Sequence, residues 1–153
     1  MANNLSIDIQ ITGDKELMAS LRRLTDNMRD FKPELQNVGD FLKDYYSSKL
    51  FATEGAILGE RWVNLKPAYE LKKRSMWSGK GIMERTGALK RSYGYSAEPL
   101  VLTVANTSDY AKYHSPGGSI MPTRKLIGFT GDIESQIISV FTKAVLVRLN
   151  KSN

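Results

Sequence analysis

Cysteine is absent from the 153 residues, and histidine occurs once, at His114. The first absence removes disulfides and thiolate metal sites, and the second leaves no set of imidazoles to hold a zinc ion. No apolar run approaches the ~18 residues that a bilayer-spanning helix needs. The opening Met1-Ala2-Asn3-Asn4 lacks the basic region and apolar stretch of an export signal. A soluble, unexported chain suited to a reducing cytoplasm is therefore expected. Internal repeats and low-complexity linkers are also missing, and the length suits one domain that buries its core without staples.

The charge is present but unevenly placed. The formal net charge is +6; residues 1–60 carry −3, residues 61–98 carry +6 and residues 99–153 carry +3. The basic character lies in the middle of the chain. Such a segment attracts phosphates or an acidic protein surface, and charge alone does not choose between them. Lys66, Lys72, Lys73, Arg74, Lys90 and Arg91 are the candidates for contact with DNA or with an acidic surface.

Leu5, Ile7, Ile9 and Ile11 alternate with polar residues, the period of a strand with one buried face. Asp14 is placed to cap a helix whose stripe is Leu17, Leu21, Leu24 and Met28, and Pro33 stops that helix and opens the next. The second helix carries Leu35, Val38, Leu42 and Tyr45 inward, with Phe41 and Tyr46 widening the stripe. Tyr46 and Phe51 read either as core or as a contact with a neighbouring subunit. Trp62 is expected to be buried and structural, and a short helix follows Pro67 through Lys73. Ser75 to Ile82, with Gly79 and Gly81, reads as a flexible arm whose Met76 and Trp77 are apolar groups in want of a partner. It lacks the Gly-Lys-Ser/Thr of a phosphate-binding loop.

Thr86 can cap a short helix containing Leu89, and Tyr93–Ala97 and Leu100–Ala105 read as a hairpin turning near Glu98-Pro99. A helical turn is expected from Tyr110 to His114. The last helix should start with Asp132 as its cap, bury Ile133, Ile137, Val140 or Phe141, Ala144, Val145 and Leu149, and fray from Asn150 to Asn153. The fold class is α+β: one domain with a small, mostly antiparallel sheet packed by the long helix from Pro33 and the C-terminal helix.

The chain's unusual local chemistry collects between Asp109 and Gly128. This stretch holds His114, Pro116-Gly117-Gly118, Pro122 and Arg124. A hydrolase would have to use Ser108 or Ser115 with His114 and Asp109, but residues adjacent in sequence rarely face one another as a triad does. No carboxylate pair stands beside His114 at helical spacing, so no metal and no cofactor is expected. His114 reads as closing the turn by hydrogen bonds to backbone. Arg124, set among apolar residues, needs a carboxylate or carbonyl, and reads either as pinning the loop to its own domain or as reaching a second subunit.

Tyr110-Ala111, His114, Gly117-Gly118, Pro122-x-Arg124 and Gly128, preceded by Gly59-x-x-Trp62-x-x-Leu65 with Lys72 and by Ile82-Met83 leading into Thr86-Gly87-x-Leu89-x-x-Ser92, form an ordered set. It resembles the signature of the phage virion morphogenesis family, the tail-completion proteins of Mu-like and related contractile-tailed phages. Two positions depart from the pattern: Ser115-Pro116, where a shorter and more polar link is usual, and Thr123, where a smaller residue is common. The resemblance implies a structural protein and not an enzyme, one that completes the tail or forms part of the neck joining head and tail. It also implies a ring of six subunits around the DNA passage, assembled in the host cytoplasm and carried in the virion among other tail, neck or connector proteins. Met76, Trp77, Tyr110, His114 and Arg124 are then the candidate contact residues. The competing reading is a basic module that binds nucleic acid without sequence preference, in which Trp77 and Tyr93 could stack on bases.

Overall fold

The computed structural model describes residues 14–114 and 121–152. The strand expected over Leu5–Ile11 and the Pro116-Gly117-Gly118 turn lie outside them. Helix α1 spans Asp14–Asn27 and α2 spans Lys32–Asp44. Between them the Asp30 carboxylate accepts the Lys32 amide at 2.8 Å, and Pro33 occupies the first turn of α2, where its missing N–H leaves no bond unmade.

The helix does not stop at Asp44. It widens into a π-helical turn over Tyr45–Lys49, where the Leu50 amide donates to the Tyr45 carbonyl five residues back, and closes with α3, Leu50–Ala52. Leu35, Val38 and Leu42 are buried at helical spacing; past Asp44 the buried residues come in consecutive pairs, Tyr45 with Tyr46 and Leu50 with Phe51. The wide turn gathers more large side chains on one face than an undisturbed α-helix presents. Tyr46 and Phe51 thus lie in this chain's own core.

Helix α4 (Pro67–Met76) and α5 (Ala88–Arg91) precede a hairpin of β1 (Tyr93–Ala97) and β2 (Leu102–Asn106). The strands pair antiparallel from Tyr93 opposite Asn106 to Ala97 opposite Leu102, and among the described residues they are the whole sheet. Leu100 and Val101, expected in the second strand, stand exposed in the connection, where the Glu98 amide donates to the Val101 carbonyl and the Phe31 amide to that of Pro99. Helix α2 crosses this hairpin at close range. A Cβ added to Gly39 would collide with the Tyr95 ring, and the Tyr95 hydroxyl donates to Asp40 at 2.8 Å.

Helix α6 (Ala111–His114) is the expected single turn, and α7 runs over Gly131–Ser152. Thr130, not Asp132, caps α7: its Oγ1 accepts the Ile133 amide at 3.3 Å. The frayed end expected from Asn150 is helical through Ser152. Helix α2 meets both strands and α7, and α7 in turn carries α1. Arg148 of α7 donates from Nη2 to both Glu34 oxygens at 2.8 Å and lies 4.0 Å from the Phe31 ring centroid, which tilts against Phe141 at 5.4 Å. Leu17 and Leu21 of α1 are exposed, although periodicity points them inward, as is Met18 beside them. Leu149, expected in the buried stripe of α7, is exposed on the opposite side with Ile138 and Leu146, and Val147 is exposed as well.

Candidate functional site

Residues 123–129 have no helix or strand to satisfy their backbone, and three aromatic side chains from separate parts of the core do it instead. Trp62 Nε1 donates to the Lys125 carbonyl at 2.9 Å, the Tyr93 hydroxyl to that of Leu126 at 2.8 Å and the Tyr46 hydroxyl to that of Gly128 at 2.6 Å. All three are buried, so each bond forms where water competes weakly. Trp62 also meets Phe51 edge-on at 5.2 Å. Its place depends on Gly55, which has φ +87° and whose absent Cβ would overlap the indole.

Arg124 heads this segment and is buried at 7 % exposure. Its amide donates to the His114 carbonyl at 2.9 Å and its Nη2 to the Val63 carbonyl at 2.9 Å. Both contacts pin the loop to its own domain. Its Nε is buried with no hydrogen-bond partner among the described residues. Burial lowers the affinity of the guanidinium for its proton.

The turn closure expected of His114 is made by its backbone carbonyl. The imidazole is left over: Nδ1 is buried without a partner among the described residues. Burial first, and then the Arg124 charge, pull its pKa below the ordinary value, which keeps the ring neutral at pH 7. Lys73 is the third basic group here, buried at 5 % exposure, with Nζ donating to the Gly81 carbonyl. Burial lowers its pKa, an effect opposed by Glu84 and Glu54.

Lys73, His114 and Arg124 line one cleft of about 390 Å³ together with Arg85. Leu65, Met83 and Leu89 form apolar walls, Tyr69, Tyr110 and Met121 stand exposed at the rim, and no carboxylate among the described residues lines it. Tyr110, His114 and Arg124 are therefore brought together, and Lys73 joins them instead of the exposed basic residues of α4. Tyr69, Arg85 and Met121 escaped sequence reasoning. Tyr69 is detectable in retrospect, because it lies one helical turn before Lys73 and shares its face.

The remaining candidates disperse. Met76 is exposed at the end of α4, and Trp77 is half-buried under the Arg85 guanidinium, 4.9 Å from the ring centroid. Of the stretch read as an arm, Ser75 and Met76 belong to α4 and Ile82 to the core, leaving 77–81 outside both. Lys66 and Lys72 are exposed, and Arg74 pairs with Glu70 at 2.5 Å. Lys90 pairs with Glu84 at 3.1 Å and Arg91 donates to the Thr86 carbonyl at 3.1 Å; these two share a second hollow of about 690 Å³ with Lys43 and Lys80. Among the described residues no group of three or more acidic or histidine side chains is placed to hold a metal, and no helix is long and apolar enough to cross a membrane.

The chain matches the phage virion morphogenesis family over residues 13–146. No curated protein and no solved structure matches it.

Proposed function

The chain belongs to the phage virion morphogenesis family, and on that premise we propose that it is a structural virion protein that completes the tail or forms part of the neck. In this reading it works as a six-membered ring around the DNA passage and contacts neighbouring tail, neck or connector proteins. The observation that carries the reading is the apolar surface of α1 and α7. Leu17, Met18 and Leu21 on one helix and Ile138, Leu146 and Leu149 on the other remain exposed in the isolated chain. Large apolar groups left exposed in this way mark interaction surfaces. Ile138, Leu146 and Leu149 also sit on the side of α7 away from Ile133, so α7 is apolar on two sides, as a helix between two neighbours would be.

Mass photometry and sedimentation across a concentration series test this. The expected result is a closed species of six chains. With Leu17→Glu and Leu21→Glu together, the far-ultraviolet circular dichroism should persist while the ring disappears. A monomer at every concentration overturns the ring, and a double variant that still assembles moves the interface elsewhere.

One observation favours the second reading, contact with nucleic acid. Lys43, Lys80, Lys90 and Arg91 face a common hollow in which Glu84 is the sole acidic residue among the described residues. Such a hollow suits a phosphate backbone without sequence readout.

A further inference from the structure

We propose that the cleft floored by Lys73 and Arg124 receives an acidic side chain of a partner protein, carried on a short segment with an apolar residue beside the Asp or Glu. The argument begins with Arg124. A guanidinium at 7 % exposure, with one carbonyl partner and a buried Nε that has none among the described residues, is an incompletely satisfied charge. Proteins rarely keep such a group unless something completes it. Lys73, equally recessed, is held by a carbonyl, with no carboxylate within ion-pair distance among the described residues. With Arg85 at the rim, the cleft presents three cations, and no carboxylate among the described residues lines it; Glu84 and Glu54 act on Lys73 from outside the lining.

The shape selects among anions. Its volume of about 390 Å³ lies within the range of ligand sites, and its walls are Leu65, Met83 and Leu89. An aliphatic side chain can fill those walls while a carboxylate reaches the floor. Tyr69 and Tyr110 at the rim are rigid amphipathic groups of the kind that hold a peptide backbone. The phosphates of duplex DNA suit this cleft poorly, because they pair with exposed, mobile cations and not with two that are sunk below apolar walls. The proposal holds whether the chain is a monomer or a ring, so its failure is distinct from failure of the assembly reading.

His114 is the sole histidine and lines the cleft, so its imidazole proton resonance reports occupancy directly. The probes are the peptides acetyl-Ala-Leu-Glu-amide and acetyl-Ala-Leu-Gln-amide, inorganic phosphate and a short DNA duplex. The Glu peptide should shift the resonance saturably and bind roughly tenfold more tightly than the Gln peptide, the ratio expected from one charge-assisted contact. Arg85→Gln, at the exposed rim, and Lys73→Met, which keeps the unbranched stem but removes the charge, should each weaken the Glu peptide several-fold and leave the Gln peptide unchanged. Arg61→Gln, outside the cleft, should do neither. The proposal is overturned if the two peptides bind alike or neither moves His114, if phosphate matches the Glu peptide at equal concentration, or if the duplex alone shifts the resonance.

Discussion

Trp62→Ala removes a fully packed indole, its edge contact with Phe51 and its bond to the Lys125 carbonyl, so unfolding free energy in urea should fall by roughly 3–5 kcal/mol. A loss below about 1 kcal/mol would show that the loop and core close over the gap. Tyr93 and Tyr46 supply a second test at this scale. Burial raises both phenols above the ordinary tyrosine value. A raised pKa on an acid means that the folded chain holds the proton more tightly than the unfolded one. The resulting stability is complete below about pH 10 and falls away as pH climbs above it. In an alkaline titration followed by phenolate absorbance, Tyr46 and Tyr93 should ionise only together with loss of the circular dichroism signal. Ionisation of these two ahead of unfolding, read from phenylalanine variants at each position, would contradict the burial. That Trp62 is buried was legible from its place between apolar residues after a flexible gap. Its partner was not, because a bond to a carbonyl far along the chain leaves no mark on residue pattern.

Among the elements, the link between α2 and α7 rests on more than apolar contact. Glu34 and Arg148 are each largely buried, at side-chain exposures of 18 % and 16 %, and meet through two bonds of 2.8 Å. A double-mutant cycle with Glu34→Ala and Arg148→Ala should return a coupling of roughly 1.5–3 kcal/mol, above the range of exposed pairs. A coupling near zero would assign the contribution of Arg148 to its stacking on Phe31. The helices from Asp14, Lys32 and Gly131 and the hairpin were readable from period and from Pro33. The π-helical turn was not, since Tyr45-Tyr46 and Leu50-Phe51 fit an ordinary amphipathic stripe until the register is seen. The inward stripe of α1 also misled, because periodicity marks the apolar side of a helix without saying which molecule covers it.

For the whole molecule, the charge map separates two surfaces that the sequence merged into one basic middle. If DNA touches this chain, the hollow of Lys43, Lys80, Lys90 and Arg91 should dominate over Lys66, Lys72 and Arg74, at the start of α4 and along it. Each phosphate that a variant no longer neutralises takes about 0.9 off the slope of log affinity against log salt. Reversing the charges around the hollow should flatten that slope clearly more than reversing those three. Equal slopes in the two variants would contradict this ranking. The cleft was half legible: Tyr110, His114 and Arg124 stood out by rarity and spacing, whereas Lys73 was hidden among basic neighbours because burial is a tertiary property. The three aromatic donors that hold residues 123–129 all bind main-chain oxygen, so none of them depends on which side chains the segment bears. Lys125, Ile127 and Phe129 are exposed upon that fixed path. Evolution can therefore rewrite what this edge displays to a changing partner while the route of the chain, and the fold that sets it, is inherited unaltered.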